Sequence, residues 1–163
     1  MNRNELPCVA IRAVEEAPFI SNEEMRTPAD AVRIVCRFLE KMDREYFCVV
    51  NLQSDTRPIS MNVVSIGTLC CSIVHPREVF KSAILSNAAS IILIHNHPSG
   101  RLSPSHEDFE ITERLQQAGT LIGIPVTDHV IAGRAGDFFS FRENGLLQEP
   151  DWTSGMAAEE KNS

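Results

Sequence analysis

The most restrictive feature of this chain is a short apolar run, Ile91-Ile92-Leu93-Ile94, that leads directly into His95-Asn96-His97. Four apolar residues without polar alternation fit a central strand, and the neighbouring sequence supplies helices to cover it. Thr27 fits an N-cap, Pro28 the first helical position, and Ala31, Val32, Val35, Phe38 and Leu39 one apolar stripe, so a helix is predicted from Thr27 to near Asp43. Pro76 opens a second helix with Val79, Phe80, Ala83, Ile84 and Leu85 as its buried stripe. A third is predicted from about Ser105 to Ala118, ending at Gly119. Residues 46–52, 59–66 and 68–74 are strand candidates, the last two joined at Gly67, and together they suggest a meander; residues 124–131 and 138–141 complete the sheet. This alternation is the pattern of an α/β domain with helices packed on a sheet.

Length and charge narrow the functions. With 163 residues, 43% of them hydrophobic, one sizeable core can form unaided, and one domain is expected over residues 27–147. Residues 1–26 read as an extension at the domain edge, and residues 148–163 as a polar, disordered tail. Fifteen Lys and Arg against 22 Asp and Glu give a net charge of −7, which argues against non-specific nucleic-acid binding. No apolar run approaches the roughly 18–20 residues that span a bilayer, and residues 1–7 lack a signal-peptide core, so no membrane association and a cytoplasmic location are expected. The five cysteines (Cys8, Cys36, Cys48, Cys70 and Cys71) are odd in number and lack C-x-x-C spacing. They read as reduced, mostly buried small hydrophobes rather than as a disulfide framework or a thiolate metal site.

Metal-competent groups concentrate just past the apolar run, in His95-Asn96-His97-Pro98-Ser99-Gly100 and Ser103-Pro104-Ser105-His106-Glu107-Asp108. In extended backbone, residues i and i+2 point to the same side, so His95 and His97 can aim both imidazoles at one ion while Asn96 faces away. The Pro-, Ser- and Gly-rich loop allows the chain to reverse and bring Asp108, in the first turn of the next helix, beside them. Two imidazoles, one carboxylate and no thiolate match a catalytic rather than a structural zinc site. Ser105 and Asp108 also form an S-x-x-D capping box, a reading compatible with metal binding because the serine can cap while its hydroxyl donates elsewhere. His75, alone before Pro76, reads as structural or surface, and His106 as solvated.

The spacing His95-x-His97, seven residues, Ser105, two residues, Asp108 resembles the whole H-x-H-x7-S-x2-D signature of JAMM proteases. More closely, HNHPSG with PSHED, the upstream IGTLCCSIVHPREVFKSAILSNA and the downstream GIPVTDHVIAG and FSFRENG are similar to bacterial RadC-like JAB proteins, from about Thr27 to Leu147. The resemblance implies a cytidine-deaminase-like, three-layer α/β fold with a mixed central sheet. It implies one Zn2+ held by His95, His97 and Asp108, and hydrolysis of a peptide or isopeptide bond in a protein or peptide substrate. It also implies Glu45 as the base that activates the water, a choice that composition does not make over Glu40 or Glu78, and Ser105 as the donor to the oxyanion. Asp128-His129 fits the family pattern and reads as a supporting or structural pair, and Asn96 as a residue that orients the loop. Longer RadC-like proteins carry an N-terminal helix-hairpin-helix segment associated with DNA binding. Only about 26 residues precede the first predicted helix here, so a short form is expected.

Three rival functions remain at this level. A nucleobase deaminase would share the fold class but needs H-x-E followed by P-C-x-x-C, and the chain has neither. A non-catalytic interaction module would keep the fold without the reaction, against which all five site positions stand intact. An accessory protein in DNA repair or mobile-element metabolism would need a basic stripe that the sequence does not offer.

Overall fold

Capping chemistry sets where the helices begin. In the computed structural model of the chain, which describes residues 26–67 and 74–148, Thr27 caps the first helix, α1 (Pro28–Leu39). Its hydroxyl accepts from the Asp30 backbone N–H while the Asp30 carboxylate accepts from the Thr27 N–H, a reciprocal capping box. The helix stops with Glu40 as C-cap, before the expected Asp43, because residues 40–44 offer too little apolar surface to hold another turn against the sheet. The chain continues through β1 (Tyr46–Leu52), β2 (Pro58–Ile66), α2 (Pro76–Leu85), β3 (Ser90–Asn96), α3 (His106–Ile122), β4 (Val126–Ala132) and β5 (Phe138–Ser140).

The five strands form one sheet in the order β2-β1-β3-β4-β5. The β3–β4 pair is parallel and the other three are antiparallel, so the sheet is mixed. Every residue of β3 is buried, as expected for a strand covered on both faces. Ile92 and Ile94 pack with Cys48, Val50 and Val130 beneath α1, whereas Ile91 and Leu93 pack with Phe47, Val49, Phe80 and Leu115 beneath α2 and α3. The result is a three-layer α/β/α architecture. Each such Val, Leu or Ile side chain removed from water contributes about 1.5–3 kcal/mol, and the two-sided core holds the end of β3 rigidly.

One irregularity decides which face β4 presents to the site. Val126 pairs with Ile91 and Asp128 with Ile92, so Thr127 is an extra residue, and its hydroxyl donates to the Ile91 carbonyl at 3.0 Å. Beyond this bulge His129 pairs with Leu93, on the face beneath α3. Without it His129 would pair with Ile94 and face α1.

Two further expectations are corrected. The third helix does not end at Gly119 but continues to Ile122 and closes at Gly123, whose φ of +81° suits the left-handed C-cap. Gly119 serves packing instead: a Cβ there would lie 2.6 Å from the Ile124 carbonyl oxygen. In α2, Ile84 is 54% exposed, so the buried stripe is narrower than predicted. Residues 68–73 of the expected third strand, with Cys70 and Cys71, lie outside the described residues, as do Cys8 and the two terminal segments 1–25 and 149–163. Cys36 and Cys48 are buried free thiols, pushed up to about 12 by burial. Among the described residues no helix is long and apolar enough to cross a membrane.

Candidate metal centre

The rigid end of β3 delivers His95, and the chain leaves the strand at His97. A tight turn follows, in which the Gly100 N–H donates to the His97 carbonyl at 2.8 Å, and Gly100 takes a φ of +75° that favours glycine. The loop then returns to Ser105, the N-cap of α3, and so places Asp108 in the first helical turn against the two histidines. His95 Nε2 lies 3.0 Å from Asp108 Oδ1 and 3.1 Å from His97 Nε2, and His97 Nε2 lies 3.2 Å from Asp108 Oδ2. The three side chains could hold a metal ion between them.

The ordinary charge balance of these groups is altered. Burial alone would raise the Asp108 carboxyl, but hydrogen bonds to His95 and His97 and to the Ser105 N–H hold it well below the usual carboxylate range. The hydrogen bond to Asp108 raises His97 against the opposing effect of burial. His97 Nδ1 lies 2.8 Å from the Arg101 carbonyl, which can accept only if that nitrogen carries the proton, so on losing its second proton the ring would present a bare Nε2 to an ion.

The predicted capping box is also present. Ser105 Oγ accepts from the Asp108 N–H at 3.2 Å and donates to Asp108 Oδ2 at 2.7 Å, and the Ser105 N–H donates to the same oxygen at 2.7 Å. One serine therefore both starts α3 and aims the carboxylate.

Glu45 arrives from the start of β1. Burial raises its carboxyl, while the nearby His95 and His97 pull it down and Asp108 adds to the rise, so this half-buried group is electrostatically coupled to all three members of the cluster. Its backbone is clamped from both sides by Asn96, which points away from the two imidazoles as the i, i+2 rule requires. Asn96 Oδ1 accepts from the Tyr46 N–H at 2.9 Å, and Asn96 Nδ2 donates to the Arg44 carbonyl at 3.0 Å. The carboxamide imitates a peptide unit and extends the β1–β3 ladder past its last residue pair. The Glu45 carbonyl is held in turn by the Gly67 N–H at 2.8 Å.

His129 stands behind His95, fully buried, with Nε2 at 2.8 Å from His95 Nδ1 and Nδ1 at 2.6 Å from Thr112 Oγ. Burial, and then the neighbouring His95, holds its imidazole well below the usual histidine range. Asp128 anchors the strand beside it, accepting from the His129 and Arg142 N–H groups and from the Ser140 hydroxyl. Sequence reasoning singled out Asp128-His129 without a contact to assign, and it missed Thr112. The available signal was that Thr112 lies four residues after Asp108, on the same helical face. His75 caps α2, its ring accepting from the Arg77 N–H, and His106 is exposed beside Glu110; neither approaches the cluster.

Comparison with known proteins covers this same region. The family model described as RadC-like JAB domain matches residues 25–146. The chain is 44% identical over 146 residues to the UPF0758 protein of Rubrobacter xylanophilus, a match covering 86% of this chain and 63% of that protein. It is 47% identical over 124 residues to a UPF0758 protein of Caldanaerobacter subterraneus, covering 76% and 53%, and 55% identical over 103 residues to one of Symbiobacterium thermophilum, covering 63% and 44%. The chain thus spans less than two thirds of the length of these relatives.

Proposed function

Because the chain belongs to the RadC-like JAB domain family and brings together a His-His-Asp group able to hold a metal ion, we propose that it is a zinc-dependent metallopeptidase hydrolysing a peptide or isopeptide bond. The observation that carries this reading is the meeting of His95, His97 and Asp108 at 3.0–3.2 Å, with half-buried Glu45 electrostatically coupled to all three. Hydrolysis needs a base beside the metal ligands, and Glu45 is the carboxylate coupled to them.

The donor set suits zinc. Tetrahedral coordination with bonds of about 2.0 Å places ligand atoms about 3.3 Å apart, close to the spacings of 3.0–3.2 Å among these three side chains. When bound, zinc supplies a Lewis acid for the scissile carbonyl and lowers the pKa of water. The remaining steps belong to the protein. Glu45 takes the proton from the attacking water and returns it to the leaving amine. The Ser105 hydroxyl turns from Asp108 Oδ2 to donate to the developing oxyanion, while the Ser105 N–H keeps the carboxylate in place. The substrate is a protein or peptide.

The test is elemental analysis of protein purified without added metal, followed by a peptidase screen. About one zinc per chain is expected, lost in His97→Ala and in Asp108→Ala. Glu45→Gln should retain zinc and lose roughly 10²- to 10⁴-fold in turnover, the usual contribution of a general base. Absence of zinc even after reconstitution would leave a non-catalytic interaction module, and normal turnover by Glu45→Gln would refute the mechanism.

A further inference from the structure

His95 can ligate an ion through Nε2 only if that nitrogen is bare, so its single proton must sit on Nδ1. Nδ1–H then points at His129 Nε2, 2.8 Å away, which must accept and therefore be bare as well. The His129 proton is thereby assigned to Nδ1, 2.6 Å from Thr112 Oγ. Thr112 accepts it and spends its own hydroxyl proton on the backbone carbonyl of Asp108. Each donor in this row has one acceptor, and no assignment conflicts with another. The row runs from β3 through β4 to α3 and ends on the main chain of a second member of the metal cluster.

We propose that His129 and Thr112 are positioning residues for the metal, fixing His95 in its Nδ1–H tautomer so that Nε2 stays available. The inference rests on the metal-binding part of the function proposed above and is independent of hydrolysis. Packing supports it. His95 stacks on Phe47 with ring centroids 5.8 Å apart and an interplanar angle of 12°, and His129 stacks on Phe141 at 4.8 Å and 15°. Both imidazoles are fully buried, so neither ring can flip freely and bulk water cannot stand in for a lost partner. The two histidines of the cluster are thus oriented by different means: His97 by the local Arg101 carbonyl, and His95 by a neutral imidazole from another strand.

Two measurements test this, neither of which reads activity. Zinc affinity is measured by competition with a chromophoric chelator, and imidazole tautomers by long-range 1H–15N correlation on the zinc-loaded protein. Thr112→Val and His129→Phe are expected to weaken zinc binding roughly 10- to 100-fold, the usual effect of losing a partner that orients a ligand. Thr112→Ser should restore affinity to near the wild-type value, and His106→Ala, exposed on the same helix, should leave it unchanged. Wild-type His95 and His129 should both appear as Nδ1–H tautomers. A purely structural role would lower unfolding stability without changing zinc affinity in the folded variants, and that result, or His129 found as the Nε2–H tautomer, overturns the proposal. If His129→Phe does not fold, Thr112→Val and Thr112→Ser decide it. Wild-type protein that takes up no zinc overturns the metal reading and this inference together, whereas wild-type zinc binding with unaltered variants overturns this inference alone.

Discussion

Replacing Asn96 with alanine isolates the contact that joins the base to the metal cluster. The side chain is 4% exposed and makes two hydrogen bonds, 2.9 Å to the Tyr46 N–H and 3.0 Å to the Arg44 carbonyl, on either side of Glu45. Net contributions of about 0.5–1.5 kcal/mol per bond give a loss of about 2 kcal/mol. For a chain of this size that corresponds to a fall in Tm of about 4–8 °C. Urea unfolding of the zinc-loaded protein should show the loss as a lower midpoint with an unchanged slope, since the surface exposed on unfolding stays the same. His95 and His97 keep their own partners, so zinc content should not change while turnover falls. Asn96→Asp preserves the acceptor for Tyr46 but sets a buried carboxylate oxygen against the Arg44 carbonyl, and should recover none of the loss. A stability change below about 0.5 kcal/mol together with wild-type turnover would refute the idea that this carboxamide holds Glu45 in place.

Gly119→Ala should destabilise the fold by about 1–3 kcal/mol in urea unfolding, because the new methyl group meets the Ile124 carbonyl at 2.6 Å, despite a gain of about 1 kcal/mol in helix propensity; net stabilisation would contradict the packing argument. Burial raises Glu45 in the folded chain, so its contribution to stability is present below its unfolded pKa of about 4.3 and is lost as pH rises through the higher folded value. Metal-free Glu45→Gln should therefore be more stable than wild type at pH 7, with the advantage vanishing toward pH 4 in thermal unfolding; the opposite trend would show that Glu45 is stabilised as an anion.

How far the sequence could be read depended on whether the information was local. His95, His97 and Asp108 were legible because their spacing is set by one strand end, one turn and one helical turn, all written in a span of 14 residues. The capping of α1 and α3 was legible for the same reason. Glu45 was not, because it comes from a different segment and nothing within its own neighbourhood distinguishes it from Glu40 or Glu78; only the family resemblance pointed to it. The end of α3 was misread because glycine serves two purposes there: Gly119 allows close approach to Ile124, and Gly123 takes the left-handed cap, yet both look alike as letters. Thr112 and His129 acquire their meaning only when α3 and β4 are side by side, which no local pattern encodes.

The extra residue at Thr127 behaves as a phase shift in a two-residue wave. Upstream of it the even-numbered residues of β4 are in step with one face of the sheet, and downstream with the other, so His129 meets His95 only because Thr127 stands outside the pairing. At this point of the chain, register matters more than identity. Many side chains could stand at position 127, but if that residue entered the ladder opposite Ile92 instead of bulging out, His129 would turn beneath α1 and leave His95 without its partner, although every residue of the metal cluster remained in place.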